Sequence, residues 1–427
     1  MQPIWVYLYR FLVIPLLWVV LRLLGLFTRK VRRGIRGRKR LFALLERQVG
    51  QLHAGKRVWF HSSSMGEFEQ AKPIIAELKH RYSDVVIIAS FFSPSGYEHS
   101  QRYPLADVIT YLPFDTAGRA KQFIDQIKPD AAVMVRYDVW PNTIWELHRQ
   151  HIPTMIANAT MRKQTTRRLP VVRAFHRHVY NAIDEILTVT QNDVEAFGLF
   201  NLDHPKIEVI GDTRYDQVSL RSIEAKKRHL LPHGILEGKK VVVVGSSWPE
   251  DEEVVIPVFL QLKEILPRVL LIIVPHEPTL DRLEGLEHSL AGKTSFIRFS
   301  ALNEYQNEHV IIVDSIGILL ILYAYAHIAY VGGGFRQGVH NVLEAAVFGI
   351  PVLLGPRHRN SQEPLMLVER GGAFVVNDSN ELYRTLRNLL EDDPVRAQAG
   401  EKAARFVQSN VGATERFLQH LEPYLMR

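Results

Sequence analysis

The run His61-Ser62-Ser63-Ser64-Met65-Gly66-Glu67 follows directly on a short apolar stretch, and it holds residue types that can do chemistry. A glutamate can take a proton from a hydroxyl, and serines beside it can cap a helix or donate to an anion. Gly66 permits a tight entry into the helix that follows. The plain alternative is a carboxylate in a first helical turn, where it is simply a favourable partner of the helix dipole. A second candidate is Gly332-Gly333-Gly334, followed by Phe335-Arg336-Gln337-Gly338-Val339-His340-Asn341-Val342-Leu343-Glu344. An apolar run, a glycine cluster and then a helix is an order that lets backbone N–H groups reach a phosphate. No G-K-[ST] closes it, so it is not a Walker A loop, and G-G-G-x-x-x-G is not the dinucleotide fingerprint. Asn341 and Glu344, three apart, are expected to share a helix face and to meet a phosphate and ribose hydroxyls. The plain reading here is a glycine turn and a solvated glutamate. A third candidate, Arg136-Tyr137-Asp138-Val139-Trp140-Pro141-Asn142, puts charge at the end of another apolar run. Alone it reads as a loop with a packed tryptophan.

Two further groups carry little. Glu391-Asp392-Asp393 has the look of a metal-binding acid pair, but it stands before Pro394 between two helical stretches and reads as a solvated turn. Pro275-His276-Glu277-Pro278 has a histidine and a carboxylate with no matching ligands at metal spacing, so no metal is expected. The chain has no cysteine, which excludes disulfides, thiolate metal sites and a cysteine nucleophile.

The elements that must position these residues are short apolar runs alternating with helical stretches. Runs lie at 57–61, 85–90, 108–112, 131–135, 154–157 and 185–189, with helical periodicity at 68–82 and 118–127. After a charged pause around 212–240 the pattern resumes at 241–245, 269–274, 310–313, 327–331 and 352–354, and 395–425 reads as two helices. Strands alternating with helices of this length predict parallel βαβ units, here two Rossmann-like halves. Sites in such halves lie at the carboxyl ends of the strands. With 427 residues, 47% hydrophobic and 23% charged, the chain is globular rather than disordered or polytopic.

The net charge of +7 suggests nucleic acid until it is located. Residues 29–40 hold eight Lys and Arg and no acid; without them the rest of the chain carries one net negative charge. No nucleic-acid partner is expected. Residues 4–27 are apolar apart from Tyr7, Tyr9, Arg10 and Arg22, long enough to span a bilayer, although Pro15 interrupts them. The charges follow the apolar run and no small-residue cleavage site appears, unlike a signal peptide. Residues 1–40 therefore read as a membrane anchor, spanning or interfacial. The positive-inside rule puts everything after 29 in the cytoplasm. Every candidate chemical residue lies after residue 60, so 1–40 are expected to localise the protein rather than build its site.

Together these motifs resemble the Kdo transferases, which add 3-deoxy-D-manno-oct-2-ulosonic acid to lipid A precursors. The resemblance rests on H-S-x-S-x-G-E, W-P-N, Val209-Ile210-Gly211-Asp212-Thr213-Arg214-Tyr215-Asp216, and the later G-G, H-N-x-L-E-A-A and P-V-L-x-G-P runs. It implies a GT-B fold, two Rossmann-like domains facing across a cleft behind an anchor helix. Residues 1–40 would be the anchor and basic flank, 41–218 the acceptor domain and 219–427 the CMP-sugar donor domain. It further implies CMP-Kdo as donor, lipid IVA as acceptor, inversion at the anomeric carbon, no metal or cofactor, and an inner-membrane protein with its domains on the cytoplasmic side. Glu67 corresponds to the general base, with His61, Ser62, Ser64 and Gly66 on the acceptor side. The family's glutamate before W-P-N is Arg136 here, Asp138 keeps the second acid, and the family's lysine is Arg214. On the donor side the resemblance implies Gly333, Gly334, Asn341, Val342, Leu343 and Glu344. Pro275-His276 replaces the usual P-R, and Ile316-Gly317-Ile318 the usual M-G-E. Two rivals keep the fold: a GT-B transferase or epimerase using a UDP-sugar, and an inactive membrane-tethered nucleotide-sugar scaffold. An epimerase has no need of an anchor, and the retained Glu67 argues against the scaffold.

Overall fold

The computed structural model describes residues 4–161, 165–232, 234–359 and 361–426. The first three residues of the expected anchor and Arg427 lie outside the described residues. The chain divides into two compact units, Met1–Gln217 with Val411–Arg427, and Val218–Asn410.

In the first unit β1 (Arg57–Ser62), β2 (Val86–Phe91), β3 (Val108–Tyr111), β4 (Ala131–Val135), β5 (Thr154–Ala159), β6 (Glu185–Thr188) and β7 (Lys206–Val209) form one parallel sheet. Their order is β3-β2-β1-β4-β5-β6-β7. The second unit has β8 (Lys240–Ser247), β9 (Val269–Pro275), β10 (Phe296–Arg298), β11 (Val310–Ile312), β12 (Ile328–Val331), β13 (Val352–Leu354) and β14 (Ala373–Val375), in the order β10-β11-β9-β8-β12-β13-β14. Each sheet therefore grows to one side of its first strand and then returns to the other. The interior strands are near-continuous apolar runs because helices cover both faces. In β1, Val58 and Phe60 pack with Phe68 and Ile74 on one face. Trp59 packs on the other with Leu45 and Phe123.

Chain order places residues 411–427 in the second domain, but their apolar face is buried in the first. Phe417, Leu418 and Leu421 of the helix Ala413–Leu425 join Ile74 and Ile75 in one core. The Asp216 carboxylate accepts from the Gly412 and Thr414 N–H groups at 2.5 and 2.8 Å. Arg81 reaches both Glu415 and Glu422.

The apolar N-terminus is one helix, Ile4–Phe27, long and apolar enough to cross a membrane. A wide π turn, Tyr9–Val13, sits just before Pro15. Pro15 has no N–H to give the carbonyl four residues back, and such turns absorb the mismatch. Most of the helix is bare: Phe11 is 75% and Phe27 84% exposed. A narrow face is not. Val6, Tyr9 and Ile14 are buried, and the Tyr9 ring packs edge-on against Trp145 at 5.8 Å. The Tyr9 hydroxyl donates to Asp115 at 2.9 Å, and Arg10 Nε donates to Asn142 Oδ1 at 2.7 Å. Asp115 is buried and also accepts from the Asn142 and Thr143 N–H groups and the Thr143 hydroxyl at 2.7–3.0 Å. The expectation that residues 1–40 only localise the protein is therefore corrected. This helix is built into the first unit, and Arg10 holds the asparagine of W-P-N.

Removing one donor from a buried carboxylate costs about 1–2 kcal/mol. We expect Tyr9→Phe to lower unfolding free energy by that amount in detergent, and Tyr7→Phe, whose ring is exposed, to change it by less than about 0.5 kcal/mol. Equal stability of the two variants in denaturant titrations would show that the helix does not dock through Tyr9.

Candidate active site

β1 and β4 are neighbours at the point where the first sheet reverses its order, and the loops leaving them diverge there. β1 delivers Ser62 to Glu67, and β4 delivers Arg136 to Asn142. Ser64 caps the helix Met65–Arg81 in a reciprocal box: its backbone N–H donates to Glu67 Oε2 at 2.9 Å and its hydroxyl lies 3.3 Å from the same oxygen. The helix-start reading of Glu67 is thus realised. The carboxylate is also only 7% exposed. Burial raises its pKa, the nearby Asp138 charge adds to the rise, and Ser64 and Arg136 offset only part of it. A carboxylate destabilised in this way is a competent proton acceptor nearer neutrality.

Asp138 is held by His61, whose Nε2 lies 2.8 Å from its Oδ2. The buried His61 ring is fixed on its other side by the Ser90 hydroxyl, 2.8 Å from Nδ1. Burial alone would raise Asp138, but the His61 hydrogen bond and charge, with Trp140 and Ser63, hold it below its ordinary range. Two carboxylates side by side are thereby pushed apart, Asp138 toward the ion and Glu67 toward the acid.

Arg136 sits at φ +65°, a strained conformation for a residue with a Cβ. Its N–H is tied to the Ala157 carbonyl at 2.8 Å, while its buried Nε has no hydrogen-bond partner among the described residues. Ser62 Oγ is likewise buried without one. Gly66 does not make the expected tight turn; a Cβ there would meet nothing, so the glycine leaves open space beside Glu67. Arg214 is clamped onto the buried Asp212 at 2.6 and 2.9 Å. The adjacent Thr213 hydroxyl donates to the Gln70 carbonyl, about one turn beyond Glu67 in the helix Met65–Arg81.

In the second unit the corresponding reversal lies between β8 and β12. The three glycines turn out to be required by packing. A Cβ on Gly332 would lie 2.4 Å from the Ser246 carbonyl and one on Gly334 2.5 Å from the Gly355 nitrogen, while Gly333 has φ +91°. Nor is the Gly333 N–H free for a phosphate: it donates at 2.7 Å to Asp251, which also accepts from Trp248 N–H and the Tyr330 hydroxyl, both at 3.0 Å. Asn341 and Glu344 do not share a helix face, because the helix Leu343–Ala346 is a single turn that begins after Asn341. Asn341 Oδ1 accepts from the Leu343 N–H at 3.2 Å, and Glu344 faces Arg221 at 3.6 Å. Val342 and Leu343 are buried, leaving only backbone for a ligand.

His276 follows Pro275 at the end of β9 and stacks on His340 with ring centres 4.4 Å apart. The Trp248 indole N–H donates to His340 Nε2 at 2.9 Å, and Arg336 covers the Trp248 ring at 3.9 Å. Burial, and then the neighbouring His276 charge, lower the His340 pKa. Ile316, 86% exposed, Gly317 and Ile318 form a loop after β11 at the same carboxyl edge. Among the described residues no three His, Cys, Asp or Glu side chains group as they would around a metal ion.

Ser90, Asp251, Trp248 and Arg336 were not singled out from the sequence. Ser90 had a signal, a polar residue ending an apolar strand in register with His61. Trp248-Pro249-Glu250-Asp251 had another, a strand end followed by a helix-starting acid, the pattern already seen at Glu67.

Residues 36–217 match the family model described as 3-deoxy-D-manno-octulosonic-acid transferase (kdotransferase). Over these residues the chain is similar to the Kdo transferase family. It is 29% identical over 380 residues to a 3-deoxy-D-manno-octulosonic acid transferase of Haemophilus influenzae, covering 87% of each chain. The Rickettsia bellii protein of the same description is 24% identical over 421 residues, 97% of each chain. The UDP-GlcNAc 2-epimerase of Neisseria meningitidis, solved with UDP-GlcNAc, superposes with a TM-score of 0.60 over 86% of this chain and 100% of its own, at 15% identity. That likeness concerns the fold, which is of the expected GT-B type, and not the chemistry. The likeness to these relatives supports a glycosyltransferase.

Two titrations follow from this geometry. Asp138→Asn removes a charge that raises Glu67, and Arg136→Met removes one that lowers it. The acid limb of the kcat/KM profile for transfer should therefore move down in the first variant and up in the second. Limbs that stay in place would show that another group titrates. His340 is held below its ordinary value of 6.5. Its unfolded form takes up a proton first, so its stabilisation is complete above about 6.5 and is lost as pH falls toward the depressed folded value. We expect second-unit stability to decline below that pH, and His340→Gln to flatten the dependence of stability on pH.

Proposed function

We propose that this enzyme moves Kdo from CMP-Kdo to a lipid A precursor, lipid IVA, with inversion at the anomeric carbon. The observation that carries the reading is Glu67: a buried carboxylate of raised pKa, preorganised by Ser64 at the carboxyl edge of β1, beside an Asp138 kept ionised by His61. In this reading an acceptor hydroxyl gives its proton to Glu67. Its oxygen then bonds to the anomeric carbon from the face opposite CMP as the bond to the CMP oxygen breaks. The departing phosphomonoester needs positive charge, which we assign to Arg214 rather than to a metal. Arg136, with its unpartnered buried Nε, and Ser62, with its unpartnered hydroxyl, are assigned to the acceptor sugar with His61, Ser64 and Gly66. The donor's cytidine monophosphate is assigned to the ends of β8, β9, β11 and β12: Pro275, His276, Ile316–Ile318, Gly333, Gly334, Asn341 to Leu343 backbone, and Glu344. Residues 41–218 then serve the acceptor and 219–410 the donor.

The acceptor's acyl chains stay in a bilayer, and the apolar helix Ile4–Phe27 with the basic run 29–40 suits a protein held on its surface. The exposed, unpaired bases of that run contribute up to about 1 kcal/mol each toward an anionic leaflet. We assign the protein to the cytoplasmic face of the inner membrane on the positive-inside rule.

Glu67→Gln should lower transfer from CMP-Kdo to lipid IVA by about 10²–10⁴-fold, while CMP binding, measured by calorimetry, stays unchanged. Retention of more than about a tenth of the wild-type rate would place the base elsewhere.

A further inference from the structure

A cavity of about 290 Å³ lies inside the first unit, between the N-terminal helices and the loop after β2. Its size is that of a small ligand pocket. Trp18, Leu21, Val31, Ile35, Phe92 and Phe114 give it apolar walls. Five bases also line it: Arg38, bonded to backbone carbonyls, and Arg22, Lys30, Lys39 and Arg119, these four all exposed. Among the described residues none of the four makes an ion pair with a carboxylate. An apolar chamber rimmed by uncompensated positive charge is complementary to an amphiphile with an anionic head.

The cavity is joined to the catalytic loop. Ser93, in its wall, donates its N–H to the Ser63 carbonyl at 2.9 Å. Phe92 stacks on Trp140 with ring centres 4.5 Å apart, and the Phe92 carbonyl accepts from Arg38 at 2.6 Å. The cavity wall is therefore one hydrogen bond away from the segment that presents Glu67. On its other side the wall is Trp18, Leu21 and Arg22 of the helix Ile4–Phe27, much of whose apolar surface is bare.

We propose that this cavity receives an acyl chain of the glycolipid acceptor, with an acceptor phosphate on the four bases. The proposal rests on the reading of the acceptor as a phosphorylated, acylated glycolipid. The apolar run is then more than a tether: with the Phe92–Pro94 loop it forms a subsite that measures the acceptor's depth in the membrane against Glu67.

The test uses full-length protein in detergent with two variants, neither touching Glu67 or its partners. Val31→Trp fills the chamber; Lys39→Glu with Arg119→Glu reverses the rim. Transfer is measured to lipid IVA and to its fully deacylated, still phosphorylated backbone, and retention of radiolabelled lipid IVA or phosphatidylglycerol is measured without donor. The filled chamber should raise KM for lipid IVA by about tenfold or more and leave KM for the deacylated backbone within about twofold. The reversed rim should raise both. Exposed rim residues leave folding intact, so the second variant answers even where the first fails to fold. An unchanged KM for lipid IVA in both variants overturns the proposal. So does phosphatidylglycerol retention as strong as that of lipid IVA and equally sensitive to Val31→Trp, which would make the cavity a site for bulk lipid. Lipid IVA retained in a Val31-sensitive way by an enzyme that transfers no Kdo supports the cavity and defeats the proposed function, so the two fail separately.

Discussion

Both halves of this protein depend on one constraint: a parallel sheet can change its direction of growth only by leaving two adjacent strands whose following loops part. That place is β1 against β4 in the first unit and β8 against β12 in the second. The chemistry-bearing segments follow from it. His61 to Glu67 and Arg136 to Asn142 issue from the first pair, Ser246 to Asp251 and Gly332 to Glu344 from the second. Each crevice is then organised by a buried acid at the start of a helix. Glu67 takes the Ser64 N–H, and Asp251 takes those of Trp248 and Gly333. The same local device serves two ends. Asp251 is closed off by four donors, from Trp248, Tyr330, Gly333 and Phe335, and holds a loop in place, whereas Glu67 remains destabilised by burial and by its neighbour Asp138.

The division into two α/β halves was legible because interior strands such as β1, β4, β8 and β9 are buried on both faces and so read as unbroken apolar runs. β7, β10 and β14 were not legible. They are edge strands of three or four residues, partly exposed, and Lys206-Ile207-Glu208-Val209 alternates charge with apolar side chains like any surface loop. The helix Thr213–Lys226 runs through the charged segment taken as a pause, since polarity marks solvent exposure and not the absence of a helix.

In the site, Glu67 was legible as a helix-start acid beside a strand end, and no local signal could decide between cap and base because it is both. The triple glycine was legible as a special loop but not as a packing device, since Ser246 and Gly355, which press on it, lie far away in sequence. The same distance hid the docking of the N-terminal helix. Tyr9 with Asp115 and Arg10 with Asn142 are pairings across more than a hundred residues, and periodicity reports only the neighbours within a turn or two.

The return of residues 411–427 to the first unit governs the order in which the molecule can be made. The second unit is one contiguous stretch, 218–410, and can close as soon as it leaves the ribosome. The first unit begins the chain but lacks Phe417, Leu418 and Leu421 over Ile74 and Ile75 until the last residues appear. At roughly 5–20 residues per second the intervening chain takes on the order of ten to forty seconds to synthesise. For that interval the half bearing the apolar N-terminal helix stands with part of its core open. Shortening the chain at its far end would thus unsettle the half that was translated first.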